Sequence, residues 1–137
     1  MSKALTMKQL AIRTTQKTEL IDITSKVRAA IDACGLKDGI CMLYVPHTTA
    51  GITINESADP DVAADIRMMF DRMVPENMPY RHREGNSSAH VKATLAGASQ
   101  LIAVKNGQPV LGTWQGIFFC EFDGPRTRTL HLFSVTR

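Results

Sequence analysis

Three stretches of the chain carry polar side chains where the apolar pattern around them does not call for any. The first is His47-Thr48-Thr49, set between two apolar runs, with Asn55-Glu56 closing the second run and Asp59 opening the next segment. If the second run returns the chain to the edge where His47 left the first, an imidazole, two hydroxyls, an amide and a carboxylate gather at one rim. Such a set suits acid–base chemistry. The plainer alternative is a turn whose Thr hydroxyls satisfy backbone groups while Asp59 only caps a helix. The second stretch holds His82 and His90, eight residues apart. Together with His47 they could hold a divalent metal ion, Mg or Zn, because three imidazoles leave positions open for water or substrate. Their spacing matches no closed zinc motif, so hydrogen-bonded or surface histidines account for them equally well. The third is Gly112-Thr113-Trp114-Gln115-Gly116 followed by Glu121 and Asp123. Counting by twos along a strand puts Gln115, Ile117, Phe119, Glu121 and Asp123 on one face, with Glu121 and Asp123 roughly 6 to 7 Å apart. That span would serve one metal ion or a cationic substrate. Gly112 and Gly116 permit close backbone approach, and Trp114 can stack on a flat heterocycle. The plainer alternative puts Trp114 in the core and makes Glu121 a partner for Arg126 or Arg128, and for Trp114 alone that alternative is the expectation. The forked guanidinium groups of Arg126 and Arg128 fit phosphate if they project towards the histidines.

The elements that must position these groups can be read from periodicity and punctuation. Lys8 to Thr14 and Leu20 to Thr24 alternate weakly, with Leu10, Ile12, Ile21 and Ile23 inward, as an opening pair of strands. Thr24 is expected to cap a helix over Ser25 to Cys34 that Gly35 stops. Ile40 to Val45 and Gly51 to Asn55 read as strands on either side of His47. Asp59-Pro60 starts a helix carrying Val62, Ile66, Met69, Phe70 and Met73, ended by Pro75. A loop follows to Asn86, then a short helix with His90 running to Gly97. The last third is β-rich: Gln100 to Lys105, an Asn106-Gly107 turn, Val110 to Asp123 in one or two strands, and Thr127 to Thr136 containing His131, which reads as structural. Strands outnumber helices without a strict βαβα rhythm. The expected fold is α+β, one domain over 1–137, a largely antiparallel sheet with two or three helices.

Composition bounds the rest. The chain has 137 residues, 44% hydrophobic and 21% charged, which fits one globular domain and is too short for a (β/α)8 barrel of about 250 residues. Sixteen Lys and Arg against thirteen Asp and Glu give a formal charge of +3, too mild to imply nucleic acid. Local groups of arginine, Arg81–Arg83 and Arg126, Arg128 and Arg137, could meet a phosphate. Cys34, Cys41 and Cys120 form no Cys-x-x-Cys pair and read as reduced, buried thiols. The start of the chain lacks the apolar region of a secretory leader, and no apolar stretch approaches the roughly 20 residues of a membrane span. A cytoplasmic location and no membrane partner are therefore expected.

Pro46-His47-Thr48-Thr49-Ala50-Gly51-Ile52, Asn55-Glu56 with Asp59-Pro60, His82, His90, Gly112-Thr113-Trp114-Gln115-Gly116, and Glu121 with Asp123-Gly124-Pro125-Arg126 together resemble the YjbQ-like family of secondary thiamine-phosphate synthases. The resemblance spans nearly the whole chain. It implies a β-sandwich-like α+β domain assembled as a homotrimer, with sites near the subunit boundaries. It also implies a reaction: hydroxymethylpyrimidine diphosphate joins a thiazole phosphate and diphosphate leaves. In that scheme His47, Glu56, Glu121 and Asp123 act in catalysis. Thr48, Thr49, Asn55, Trp114, Gln115 and Arg126 bind the small phosphorylated substrate, and His47, His82 and His90 hold the metal. Two other readings stay open: a metal-dependent hydrolase using Glu56 or Glu121 as general base, and a non-catalytic trimeric module that binds a small anion.

Overall fold

The computed structural model describes residues 5–136. Met1–Ala4, at the start of the segment read for a leader, and Arg137, grouped above with Arg126 and Arg128, lie outside the described residues. The described chain runs β1 (Leu5–Arg13), β2 (Glu19–Asp22), α1 (Thr24–Ala33), β3 (Gly39–Tyr44), β4 (Ala50–Glu56), α2 (Pro60–Met73), α3 (Ser87–Ala96), β5 (Ser99–Lys105), β6 (Gln108–Pro109), β7 (Gln115–Glu121) and β8 (Thr127–Thr136). It is an α+β fold in which every described strand pair is antiparallel.

Local chemistry sets the helix ends. Asp59 accepts a hydrogen bond from the Asp61 amide at 2.9 Å and Pro60 opens α2, as the sequence pattern requires. Gly97, at φ 91°, follows α3 directly. Thr24, expected to cap α1, is instead its first residue. Its amide and hydroxyl both donate to Asp22 Oδ1, at 2.9 and 2.6 Å, so Asp22 satisfies the helix start from two residues upstream. The Thr24 hydroxyl in turn accepts from the Ile117 amide and ties α1 to β7. Asn106 and Gly107 both have positive φ, 52° and 75°, as a tight hairpin between β5 and β6 demands. The run from Val110 to Asp123 yields strand only over β7, with the two-residue β6 before it.

The strands form two sheets, β1-β8-β3-β5-β6 and β2-β7-β4. The expected opening pair is not a hairpin. β1 pairs with β8 and β2 with β7, so the two neighbours in sequence belong to different sheets. The main core lies between the sheets: Ile12, Cys41, Leu43, Ile102, Val104, Leu130 and Leu132 from one, Ala50, Ile52, Ile117 and Phe119 from the other, with Val27, Ala30 and Ile31 of α1. The outer side of the smaller sheet is covered in turn. Ala89 and Ala93 of α3 and Phe70 of α2 pack with Cys120 and Phe122, the two phenylalanine rings meeting edge to face at 5.5 Å. β7 is therefore buried on both faces, which is why its sequence is a nearly unbroken apolar run. Burial pushes the Cys41 and Cys120 thiols up to about 12, so both stay protonated and inert. No helix among the described residues is long and apolar enough to cross a membrane.

Candidate functional site

The two-sheet architecture decides where polar residues meet. Three connections carry the chain between the sheets at the same end: residues 14–18 from β1 to β2, 45–49 from β3 to β4, and 122–126 from β7 to β8. Main-chain bonds lock them together, Thr14 N–H to Arg126 O, Phe122 N–H to Thr49 O and Gly124 N–H to Lys17 O. Gly124 is needed here, because a Cβ would stand 2.4 Å from Gln16 O. Against this junction lie the 75–86 loop and α3. The result is an open cleft of about 580 Å³ lined by Pro46, His47, Thr48, Thr49, His82, Glu84, Asn86, His90, Asp123, Arg126 and Arg128.

Eight residues singled out in the sequence thus meet: His47, Thr48, Thr49, His82, His90, Asp123, Arg126 and Arg128. The His82 and His90 rings stand edge to face with centroids 5.3 Å apart. Asp123 accepts from Asn86 Nδ2 at 3.0 Å and from Arg126 at 3.2 Å, so its charge is already spoken for. Asn86 is also the residue before α3, and no side chain caps that helix. Its first-turn amides are therefore free of side-chain partners on the side from which anions are attracted.

Glu121 sits beneath the cleft with no exposed surface. Arg128 Nε donates to its two oxygens at 2.9 and 3.1 Å, Arg128 Nη2 donates as well, and Thr14 Oγ1 and the Asp123 amide add bonds at 2.8 and 3.0 Å. Burial by itself raises its pKa, but these donors and the arginine charge outweigh burial and hold the carboxyl below its ordinary range. Arg128 Nη2 reaches on to Thr49 Oγ1 at 2.8 Å. The expectation that Glu121 and Asp123 jointly face one ion is corrected: one is sealed in an ion pair, the other forms the cleft wall.

Asn55, Glu56, Trp114 and Gln115 go elsewhere. The register pairs Ala50 with Glu121 but Glu56 with Gln115, so these four occupy the opposite end of β4 and β7. Six strand steps separate the ends, roughly 20 Å. The rim that was to unite His47 with Asn55-Glu56 does not form, because β4 leads away from His47 and the chain does not return. Glu56 instead lines a separate hollow of about 460 Å³ with Glu19, Asp22 and Arg67. Gln115 folds back so that its Oε1 accepts from the Gly112 amide at 2.8 Å. Trp114 is 64% exposed, contrary to its expected place in the core, because the turn at 112–115 lifts it off the sheet end.

The three histidines line the same cleft. Among the described residues no three His, Cys, Asp or Glu side chains come close enough together to hold an ion. His47 in particular spends its Nε2 lone pair on the Thr129 amide at 2.9 Å. Residues the motif reading gave less weight, Asn86 and Arg128, belong to the cleft. Arg128 had a signal: it alternates with Leu130 and Leu132 at inward positions of β8, where an arginine requires a buried carboxylate.

The fold and site define a class: a two-sheet α+β domain with a histidine- and arginine-lined cleft where the chain crosses between sheets. Residues 8–136 match the family described as UPF0047 protein YjbQ-like, and the chain belongs to that family. It is 54% identical over 127 residues to the UPF0047 protein YugU of Bacillus subtilis, covering 92% of this chain and 96% of that one. It is also 54% identical over 121 residues to the UPF0047 protein MJ1081 of Methanocaldococcus jannaschii, covering 88% of each. Among solved structures, a YbjQ-like protein from Sulfolobus solfataricus superposes with a TM-score of 0.93 at 32% identity, covering 99% of this chain and 100% of the other. A YjbQ/UPF0047 protein from Clostridium acetobutylicum does so with a TM-score of 0.89 at 50% identity, covering 93% and 98%.

Proposed function

We propose that the cleft holds the phosphate groups of a small phosphorylated substrate, and that the protein is a transferase of the thiamine-phosphate synthase type. The observation that carries this is the lining. His47, His82, His90 and Arg126 face one open space together with two carboxylates, Glu84 and Asp123; Arg126 and Asn86 already bond Asp123, so the imidazole N–H groups and the remaining guanidinium N–H groups of Arg126 are what the cleft offers an anion. In the reaction, the thiazole ring nitrogen attacks the pyrimidine methylene. A C–N bond forms, the C–O bond breaks, and its electron pair leaves with diphosphate. The substrate supplies the nucleophile, so the protein's tasks are alignment of two molecules and stabilisation of the leaving charge. An open, donor-rich cleft suits both tasks. A homotrimer would deepen this shallow cleft with a neighbouring subunit, and the outer face of the larger sheet, where Met7, Ile40 and Leu101 are exposed, supports self-association. A cytoplasmic location agrees with three free cysteines.

The test is incubation of purified protein with hydroxymethylpyrimidine diphosphate, as its Mg²⁺ salt, and thiazole phosphate. Thiamine phosphate and diphosphate should appear together, and Arg126→Ala should lower kcat/KM by about tenfold to hundredfold, the loss of one charge-assisted hydrogen bond. Release of phosphate without a joined product would make the protein a hydrolase. Binding of either precursor without turnover would make it a binding module. Either outcome overturns the transferase.

A further inference from the structure

His47 is a cleft residue whose single hydrogen bond fixes its tautomer. Its Nε2 accepts from the Thr129 main-chain N–H at 2.9 Å. A backbone amide only donates, so Nε2 must present a lone pair to it. A neutral imidazole has one lone-pair nitrogen and one N–H, and the proton therefore lies on Nδ1. Adding a second proton at Nε2 would set two hydrogens face to face across that 2.9 Å gap. While that bond is kept the ring is neutral, and its second nitrogen, Nδ1, is a donor. It has no free lone pair with which to bind a metal or take a proton.

The remaining chemistry of the cleft fits such a donor. Arg126 supplies positive charge, its Nη2 shared with Asp123, and Thr48 lies beside His47 in a lining that also includes Glu84. The acceptor class that matches an N–H next to a guanidinium is a phosphoryl oxygen. We infer that His47 is a substrate-positioning donor, its Nδ1–H bonding a phosphoryl oxygen of the bound substrate, and that it is neither a metal ligand nor a general base. This rests on the reading of the cleft as a phosphate site and adds to it the role and tautomer of one residue.

The experiment uses the ¹⁵N-labelled protein, with long-range ¹H–¹⁵N spectra of the imidazole rings at pH 7. In the free protein His47 should carry its proton on Nδ1. Zn²⁺ should leave its ring signals in place, whereas inorganic pyrophosphate should shift its Nδ1–H signal. Two substitutions divide the ring's functions. His47→Asn keeps an N–H near the Nδ1 position, whereas His47→Gln keeps an acceptor near Nε2 and loses that donor. Pyrophosphate affinity should fall about tenfold in His47→Gln, the weight of one hydrogen bond to a charged group, and within about threefold in His47→Asn. A proton on Nε2, or a ring nitrogen shifted by Zn²⁺, overturns the inference from the wild-type protein alone, whatever the variants do. Pyrophosphate shifts at His82 and Arg126 without any at His47 would overturn it while leaving the phosphate cleft intact. If no cleft residue responds to pyrophosphate, the cleft reading falls and this role with it.

Discussion

At the scale of single residues, the Glu121–Arg128 pair shows how the cleft floor is held. Neither side chain meets solvent appreciably, and each has the other as its main source of compensation. Removing one partner strands the other charge, so Glu121→Ala should lower the unfolding free energy by about 3–5 kcal/mol in chemical denaturation at pH 7. The pH dependence has a definite sign. The native pKa of Glu121 is depressed, so its contribution is complete above the ordinary value of 4.5 and is lost as pH falls through the lower native pKa. Melting curves from pH 7 to 3 should show this acid loss in the wild-type protein and lack that component in Glu121→Ala. From the sequence, Glu121 and Asp123 look alike, two carboxylates on one strand face. What separates them is the arrival of Arg128 from β8, a contact that strand alternation hints at but does not assign. Trp114 illustrates the converse. Its size argues for burial, while its position beyond the end of β7 decides for exposure.

At the scale of elements, β7 is the strand on which both layers depend, since it pairs with β2 and β4 and is buried on both faces. Gly116 marks its tightest point: a Cβ there would stand 2.4 Å from Ser57 Cβ and 2.6 Å from Ser57 Oγ. Gly116→Ala should cost about 1–3 kcal/mol in denaturant unfolding with little effect on pyrophosphate binding, because the strain falls at the end of β7 away from the cleft. The close backbone approach that Gly116 suggested is thus to Ser57 and not to a ligand. The helices were legible because their signals are local: Asp59-Pro60 and Pro75 bracket α2, and Gly97 ends α3. The division into two sheets was not, because β1 and β2 are adjacent in sequence and only long-range pairing sends them apart. That division also decided the site. It brought the 45–49 and 122–126 connections to one end and sent Asn55-Glu56 to the other, although all three motifs were visible as sequence.

At the scale of the whole molecule, one broad face has no cover among the described residues. Register places Met7 of β1, Phe133 of β8, Met42 of β3 and Leu101 of β5 in a single row across the larger sheet, and Leu101 is 69% exposed. If this face carries the proposed self-association, Leu101→Glu should convert the assembly to smaller species in light-scattering chromatography while the circular dichroism of the domain stays native. An unchanged mass would remove the face from the interface. The position of β8 in this sheet has a bearing on biosynthesis. β8 follows every other described element in chain order, yet it lies between β1 and β3 and carries Arg128 to Glu121. On the ribosome, therefore, β1 waits without a partner and Glu121 without its counter-charge until the chain beyond residue 127 emerges. Most of this domain can be translated before either its larger sheet or its cleft is complete, and a chain truncated ahead of β8 would expose apolar strand edges to the chaperone machinery.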